Sequence, residues 1–473
     1  MKLPMVKSVR TMGSVLLVTL VTVVIMGITL ASYLALASTQ SRSVARSQIW
    51  NNAMVVAEAG VEEGLQFVNQ YVGTPVPGDW TTTYLVNGWT RPGGGDTYQL
   101  TRYMDNARTT YYQVSITNIN FAPIIHSVGY VPGPSWVAGT PPMSRTVEVS
   151  TKIDAMFNVC MAALGAIDLK GNGIATDSFD SSDPNYSTNG FYNLPGLPSP
   201  PPWRKAGGDV VTDNTITNSV LNVGNADIAG HINTGPNGSI AIGPNGSVGD
   251  LAWVSSSFGI QPGWSGNDLN VVFKDVVLPA VFWSPATGNR IGAAGWAPNG
   301  IYYDHIFTSP GDNSTSPGNY RINDSGDIYV GTNVSVRLNI TASTFNPNNI
   351  YVAGVTTAEA GKMVGYLNGP PGQSATLGTS DMTQSGKAAN LAFLGTTNCT
   401  SISYKGNGDF TGVIYAPQAD FQLAGGGSGV IDFIGSSVTK TVQMNGHYNF
   451  HYDENLKKDY QDNGYVPVMW REF

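Results

Sequence analysis

Three carboxylates recur at every third position in Asp177-Ser-Phe-Asp180-Ser-Ser-Asp183. Where such groups converge they bind Ca2+ or divide acid and base roles. The spacing is not that of an EF-hand loop, and Ser/Asp runs also cap turns through their own side chains. His447 and His451 stand four residues apart with Asp453 and Glu454 beyond, and a strand would put both imidazoles on one face. Two imidazoles are half of a tetrahedral zinc set; hydrogen-bonded or solvent-facing histidines meet the same pattern. Lys170, Arg290, Arg321 and Arg337 are scattered rather than clustered, which weighs against a lyase acting on charged sugars. No nucleophile elbow, phosphate loop, dinucleotide fingerprint or Cys-x-x-Cys occurs. The sequence therefore predicts no catalytic residue, no cofactor, no metal site and no enzyme.

Trp136, Trp203, Trp253, Trp264, Trp283 and Trp296 fall in Pro/Gly-rich stretches, where exposed rings stack on sugars and covered rings shield a sheet. Cys160 and Cys399 would pair in an oxidising compartment only if the fold brought their Cα atoms within about 7 Å.

The elements that position these residues follow from composition. Charged residues are 12% of 473, against about 25% in ordinary globular chains, while 56 Gly and 28 Pro supply turns. With 41% hydrophobic residues the chain is not disordered. A net charge of -8 and the absence of a basic run leave a nucleic-acid role without electrostatic footing. A mainly β body is expected.

One stretch departs from that composition. Between Arg10 and Arg42 no charge occurs, and Val15 to Ala37 is long enough at ~1.5 Å per residue to cross a ~30 Å hydrocarbon core. Its Val and Thr residues favour a strand in water, but in lipid a lone segment satisfies its backbone only as a helix. Lys2, Lys7 and Arg10 precede it and Arg42 and Arg46 follow, which favours a cytoplasmic N-terminus. Three readings compete: a secretory signal cleaved after Ala35-Leu36-Ala37, an uncleaved anchor, and a helix continuing beyond the membrane. The third draws on Ile49, Ala53, Val56, Ala57, Gly60, Val61, Gly64, Leu65 and Val68, spaced by threes and fours along one helical face. Breakers arrive only with Gly73, Pro75 and Pro77, so one helix can run from about Ser14 to Tyr71. Gly60 and Gly64 each cost about 1 kcal/mol in a helix, and close approach of the chain's own sheet or of a neighbouring helix would offset that. Glu58 and Glu62 are like charges four apart, mildly repulsive unless a cation relieves them.

A basic leader ending in Gly13, an apolar helix directly after it, and the continuation RSQIWNNAMVVAEAGVEEGLQFV resemble the N-terminal segment of type IV pilin-like proteins, most closely PilX-type minor pilins. The likeness covers about residues 7 to 70. It implies cleavage by prepilin peptidase between Gly13 and Ser14, with methylation of the new terminus. It also implies assembly with other pilins or pseudopilins through helix positions that include Val18, Ala57, Glu58, Gly60, Glu62 and Gly64. Val18 occupies the fifth mature position, where major pilins carry glutamate, which argues for a tip, initiating or envelope-retained subunit.

After the helix, Tyr111 to Asn118, Ile124 to Val131 and Ser144 to Ile153 alternate apolar and polar residues, the pattern of half-buried strands. Beyond Phe157 motifs repeat. Ile402-Ser-Tyr404, Phe421-Gln-Leu423 and Val442-Gln-Met444 are 19 and 21 residues apart, and Phe410 and Phe433 are offset by 23. Ile167-Asp-Leu169 and Ile240-Ala-Ile242 are earlier copies. A period near 20 with Gly at the corners points to a right-handed parallel β-helix whose turns bury one another. A β-sandwich or a leucine-rich repeat fits the spacing less well. The stretches at Gly171, Gly224, Gly412 and Met444 also resemble an uncharacterised domain of pilin-like envelope proteins, and polymer-forming β-helices such as bactofilins.

The expected organisation is a leader at 1–13, a transmembrane and amphipathic helix at 14–72 and a small antiparallel β domain at 73–156. A solenoid follows at 157–455, with side excursions near 184–208 and 251–320, and then a tail at 456–473. Within the second excursion, Val276 to Trp283 reads as a buried strand. The resemblance implies a minor component of a type IV pilus or type II secretion-like filament, inserted in the inner membrane with its bulk outside the cytoplasm. Its partners would be prepilin peptidase, other pilins, the lipid bilayer and surface glycans. A carbohydrate-binding adhesin and a polysaccharide-active enzyme are the alternatives.

Overall fold

The computed structural model describes residues 12–70, 87–92, 97–118, 123–134, 136, 139–153, 155–170, 173–192, 201–217, 226–269, 273–285, 293–354, 360–378, 387–406, 408–425, 429–459 and 465–473. The leader residues 1–11, the motif starts at Gly171 and Gly224, and Arg290 lie outside them. The chain divides into two units, one of residues 1–152 with 465–473 and one of residues 153–464.

In the first unit a single helix, α1, spans Met12–Gln70. Its Thr19, Thr22, Thr29 and Thr39 hydroxyls donate to carbonyls three or four residues back, at 2.9 to 3.0 Å. A Thr-rich apolar segment thereby satisfies its own polar side chains without solvent. The large apolar residues from Val15 to Leu36 are all exposed, Leu16 at 73% and Met26 at 69%. From Ala53 onward one face is buried, including Ala57, Val61, Phe67 and Val68.

That face lies on an antiparallel sheet of β1 (Tyr98–Tyr103), β2 (Tyr111–Thr117), β3 (Ile124–Val131) and β4 (Met143–Ile153), closed by a C-terminal strand, Tyr465–Glu472, next to β4. The three segments read as alternating are β2, β3 and β4. Along β3, Ile125, Ser127, Gly129 and Val131 are the buried set, as a period of two requires. Contact with α1 is made by glycine from both sides. A Cβ at Gly60 would meet Val114 Cγ2 at 2.9 Å and one at Gly64 would meet Ile125 Cγ2 at 2.7 Å. A Cβ at Gly129 would run into the Ala53 carbonyl oxygen and the Ala57 amide nitrogen.

Residues 456–473, expected as a tail, need correction. Leu456–Asp459 is a short helix and Tyr465–Glu472 is a strand of the first unit. Phe473 N donates to Thr146 O at 3.0 Å, Arg145 pairs with Glu472, and the Asn69 side chain brackets the Tyr465 backbone at 2.5 and 3.0 Å. The helix and the small β domain, expected as separate domains, fall in one unit with it.

The second unit is a ladder of short strands in two sheets, paired in parallel except where Ala293–Trp296 meets Tyr302–Phe307 and at isolated bridges. The repeated motifs stand in register: Ile402 opposite Phe421, Phe421 opposite Val442, Phe410 opposite Phe433. The column continues from Val442 to Ile167, then Ile216, then Ile240, so the earlier copies share it. Phenylalanine rings stack along the interior, Phe410 on Phe433 at 4.5 Å and Phe433 on Phe450 at 4.1 Å.

The ladder does not follow chain order. The last turn pairs with the first, Ser437 opposite Met161 and His451 opposite Asp177. From there the chain climbs to Ser265–Gly266, then passes back beside a turn formed later in the sequence, where Lys274 O accepts the Tyr415 hydroxyl at 2.8 Å and Gln418 donates to Asp275 at 2.9 Å. At the opposite end Ser284–Pro285 pairs with Tyr320–Arg321 and the chain winds back to Asp453. The buried strand expected at Val276 to Trp283 is not formed: Val277 is 82% and Phe282 84% exposed, while Val276, Leu278 and Trp283 pack on the core. A segment crossing from one end of a ladder to the other cannot join its hydrogen bonding, so only some of its side chains are covered.

Candidate functional site on the N-terminal helix

Gly13 and Ser14 lie in the first turn of α1. Val18 is 57% exposed among other exposed apolar residues. Ala57, Gly60 and Gly64 are buried against the unit's own sheet, so of the two partners left open for the small-residue stripe, the internal one is present. Glu58 is half-buried and Glu62 exposed, and among the described residues neither has an ion-pair or hydrogen-bond partner. Arg42 and Arg46 are exposed and equally unpaired.

Sequence reading passed over Glu63. Its carboxylate accepts Arg102 Nε at 3.0 Å and also bonds the Tyr112 hydroxyl. It raises the pKa of the Arg102 guanidinium, and burial, with Glu63 beside it, pushes the Tyr112 hydroxyl up to about 12. Helical phase was the available signal: Glu63 lies three residues past Gly60, on the flank of the buried face, whereas Glu62 turns about 100° away.

The other candidate groups are closed into the ladder. Asp177, Asp180 and Asp183 do not converge. Asp180 Oδ1 accepts Ser182 N and Oγ, and Asp183 Oδ1 accepts Asn185 N and Nδ2, each at 2.6 to 2.9 Å, both capping turns. Asp177 points inward, where His451 Nδ1 donates to it at 2.6 Å and the Tyr192 hydroxyl at 2.8 Å. Tyr192 stacks on the imidazole at 3.7 Å, and Arg204 stands 3.9 Å from the same carboxylate. His451 Nε2 is 3.3 Å from Asp432 Oδ1, off the line of a hydrogen bond. Burial lowers the His451 pKa, but Asp177 and Asp432 outweigh it and hold it at about 9. His447 sits in the turn before the strand, so the two histidines do not share a strand face. Among the described residues no group of three or more His, Cys, Asp or Glu is arranged to hold a metal.

His231 stacks on Trp264 at 4.3 Å, and His305 Nε2 lies 2.7 Å from Asp324. Trp203 and Trp253 donate to backbone carbonyls, and Trp283 meets Tyr366 edge-on. Trp136 and Trp296 are exposed. Cys160 and Cys399 are free, buried thiols; burial raises the pKa of both, that of Cys399 to about 12.

Residues 289–459 match a domain of unknown function, DUF7305. Among solved structures the chain is similar to the competence-associated pilin ComZ from Thermus thermophilus, at 11% identity and a TM-score of 0.29, over 90% of this chain and 97% of that one. No curated protein matches.

Proposed function

We propose that this is a non-enzymatic pilin-like envelope protein, a minor component of a type IV pilus or type II secretion-like filament. The observation that carries it is the division of α1: a wholly exposed apolar half long enough to span a bilayer, continuous with a half packed through small residues on an antiparallel sheet. An exposed apolar helix of this length needs lipid or other helices around it. On this reading prepilin peptidase cuts between Gly13 and Ser14, the helix resides in the inner membrane until assembly, and the PilX-type segment packs with other pilins. The second unit, read as a right-handed parallel β-helix, is a rigid body displayed outside the cytoplasm. N-terminal mass spectrometry of the wild type beside Gly13→Val tests this. A methylated Ser14 terminus, lost in the variant, is expected; a terminus at Ser38 would overturn it.

The adhesin reading draws on Trp296, 76% exposed and edge-on to Tyr302 at 5.9 Å. Glycan-array binding lost in Trp296→Ala would favour it.

A further inference from the structure

The exposed apolar side chains of the first unit's folded part gather toward one end of it. β3 descends along α1, with Ile125 meeting Gly64 and Gly129 meeting Ala53 and Ala57, until Val131 and Ile49 line one cleft. That is the end from which the apolar half of the helix leaves. The strand pairings put three more features there. Tyr103 pairs with Tyr111 and Tyr111 with Tyr130, which places the β1–β2 turn; Val131 pairs with Met143, which places the β3–β4 turn; and Phe473 bonds to Thr146. Arg145 lies 4.8 Å over the Trp50 ring at the same end. On this rim Trp50, Tyr103, Met104, Trp136, Trp470 and Phe473 are 41% to 69% exposed. The opposite end, marked by Thr117, Ile124 and Tyr465, has no exposed large apolar side chain among the described residues.

The rim is basic in a chain whose net charge is -8. Arg42 and Arg46 of α1 and Arg108 of the β1–β2 turn are exposed, with no ion-pair partner among the described residues, while Arg145 pairs with Glu472. The Asp105 carboxylate is occupied by the Thr109 hydroxyl and the Thr109 and Thr110 amides. Arg108 lies 5.2 Å over the Tyr103 ring. Trp, Tyr and Arg, each with an apolar body and a polar tip, are the side chains that settle at the headgroup layer of a bilayer. We propose that this rim seats on an anionic phospholipid surface, that of the membrane α1 crosses. The proposal rests on the membrane placement of the apolar half of α1 and is independent of filament assembly.

Helix geometry allows the contact. Arg42 is the first charge after the apolar half and stands at the headgroups; Trp50 is about 12 Å further along the axis. The sheet packs about 10 Å to one side of the helix. A tilt of about 40° toward the sheet, within the range of spanning helices, lowers the rim to about 3 Å above Arg42, within reach of its side chains. Attraction between arginines and anionic lipid fades within a Debye length, so only groups at this end feel it. Glu58 and Glu62 stand about 12 Å or more beyond Trp50 along α1, and an anionic surface repels them. The two effects act in the same sense, holding the basic rim down and the acidic end away.

The test uses the full chain, one copy per lipid nanodisc, with a nitroxide label on Met104→Cys at the rim or on Lys152→Cys at the far end; the native thiols are buried. In phosphatidylglycerol discs the Met104 label should be about fivefold less accessible to an aqueous nickel relaxant than in phosphatidylcholine discs, with the Lys152 label unchanged. Arg42→Gln, Arg46→Gln and Arg108→Gln together should abolish the difference. None of the three is ion-paired within the unit, so the melting profile should stay that of the wild type. A Met104 label open to water in phosphatidylglycerol, protection that is equal in both lipids or survives the triple substitution, or protection that appears only with two copies in a disc would overturn the proposal. A label on Met26→Cys, 69% exposed in the apolar half, separates the two claims. Met26 in lipid with Met104 in water defeats the rim alone, whereas Met26 in water defeats the membrane placement and the rim with it.

Discussion

Each unit is closed by segments far apart in sequence, but by different physics. In the first, α1 lies against the sheet because Gly60, Gly64 and Gly129 carry no Cβ where backbone and side chains already stand. In the second, the last turn is joined to the first by parallel strands and a buried charge pair, His451 with Asp177 in direct register. A junction made by missing atoms tolerates no added carbon and is indifferent to pH. A junction made by charge is strong only while both partners are ionised.

Breaking the charged junction should have the largest effect. His451→Ala removes the closer of the two cations beside the buried Asp177, leaving Arg204 at 3.9 Å, a loss of about 3 kcal/mol. Hydrogen exchange should show the strands Ala175–Phe179 and Tyr448–Asp453 losing protection while α1 and β3 keep theirs. The pH dependence has a defined sign. The folded pKa of His451, about 9, is above its ordinary 6.5, so its contribution is complete below about pH 6.5 and disappears as pH rises through 9. The second unit should lose on the order of 3 kcal/mol across that window, and His451→Ala should remove most of it, the remainder at the alkaline end belonging to the buried Cys160 and Cys399 thiols, which ionise only in the unfolded chain. A wild-type unfolding curve that is flat from pH 6 to 10 would show that the junction is held by its strands alone.

The steric junction comes next. Gly129→Val drives a Cβ into the Ala53 and Ala57 backbone, and no side-chain rotation relieves a backbone clash. The first unit should lose about 1–3 kcal/mol, read as a lowered midpoint for exchange of the β2 and β3 amides, equal at pH 6 and pH 9. Gly129→Ala should lie between the two, since it adds the clashing atom without the branch.

The two junctions were unequally legible in the sequence. Spacings of 19 to 23 residues identified which positions share a column, and Ile402, Phe421, Val442, Ile167 and Ile240 do stand in one. Ile216, the link between Ile167 and Ile240, sits in Thr-Ile-Thr-Asn without the corner glycine and escaped notice. Periodicity states which residues face the same way, not which turn lies next, so the meeting of Val442 with Ile167 was hidden. Asp177 and His451 were noticed for possible chemistry, yet their pairing depends on that same hidden adjacency. In the first unit the alternation of β2, β3 and β4 was plain. The C-terminal strand was missed although Tyr465, Pro467 and Met469 alternate with Val466, Val468 and Trp470; with most of its residues exposed, it lacks the polar face that marks a half-buried strand.

The smallest effect sharpens the comparison within α1 itself. Gly27 lies in the exposed half, and a Cβ there would meet nothing within 4 Å, in contrast to Gly60 and Gly64. Gly27→Ala should therefore leave the unfolding of the first unit unchanged to within about 0.5 kcal/mol, where the same substitution at Gly60 forces its neighbours to move. The informative measurement is self-association of the full chain in a lipid bilayer: if Gly27→Ala weakens it while the fold is unmoved, another helix approaches α1 closely at Gly27, and the glycines of the two halves differ only in whether the neighbour belongs to the same chain.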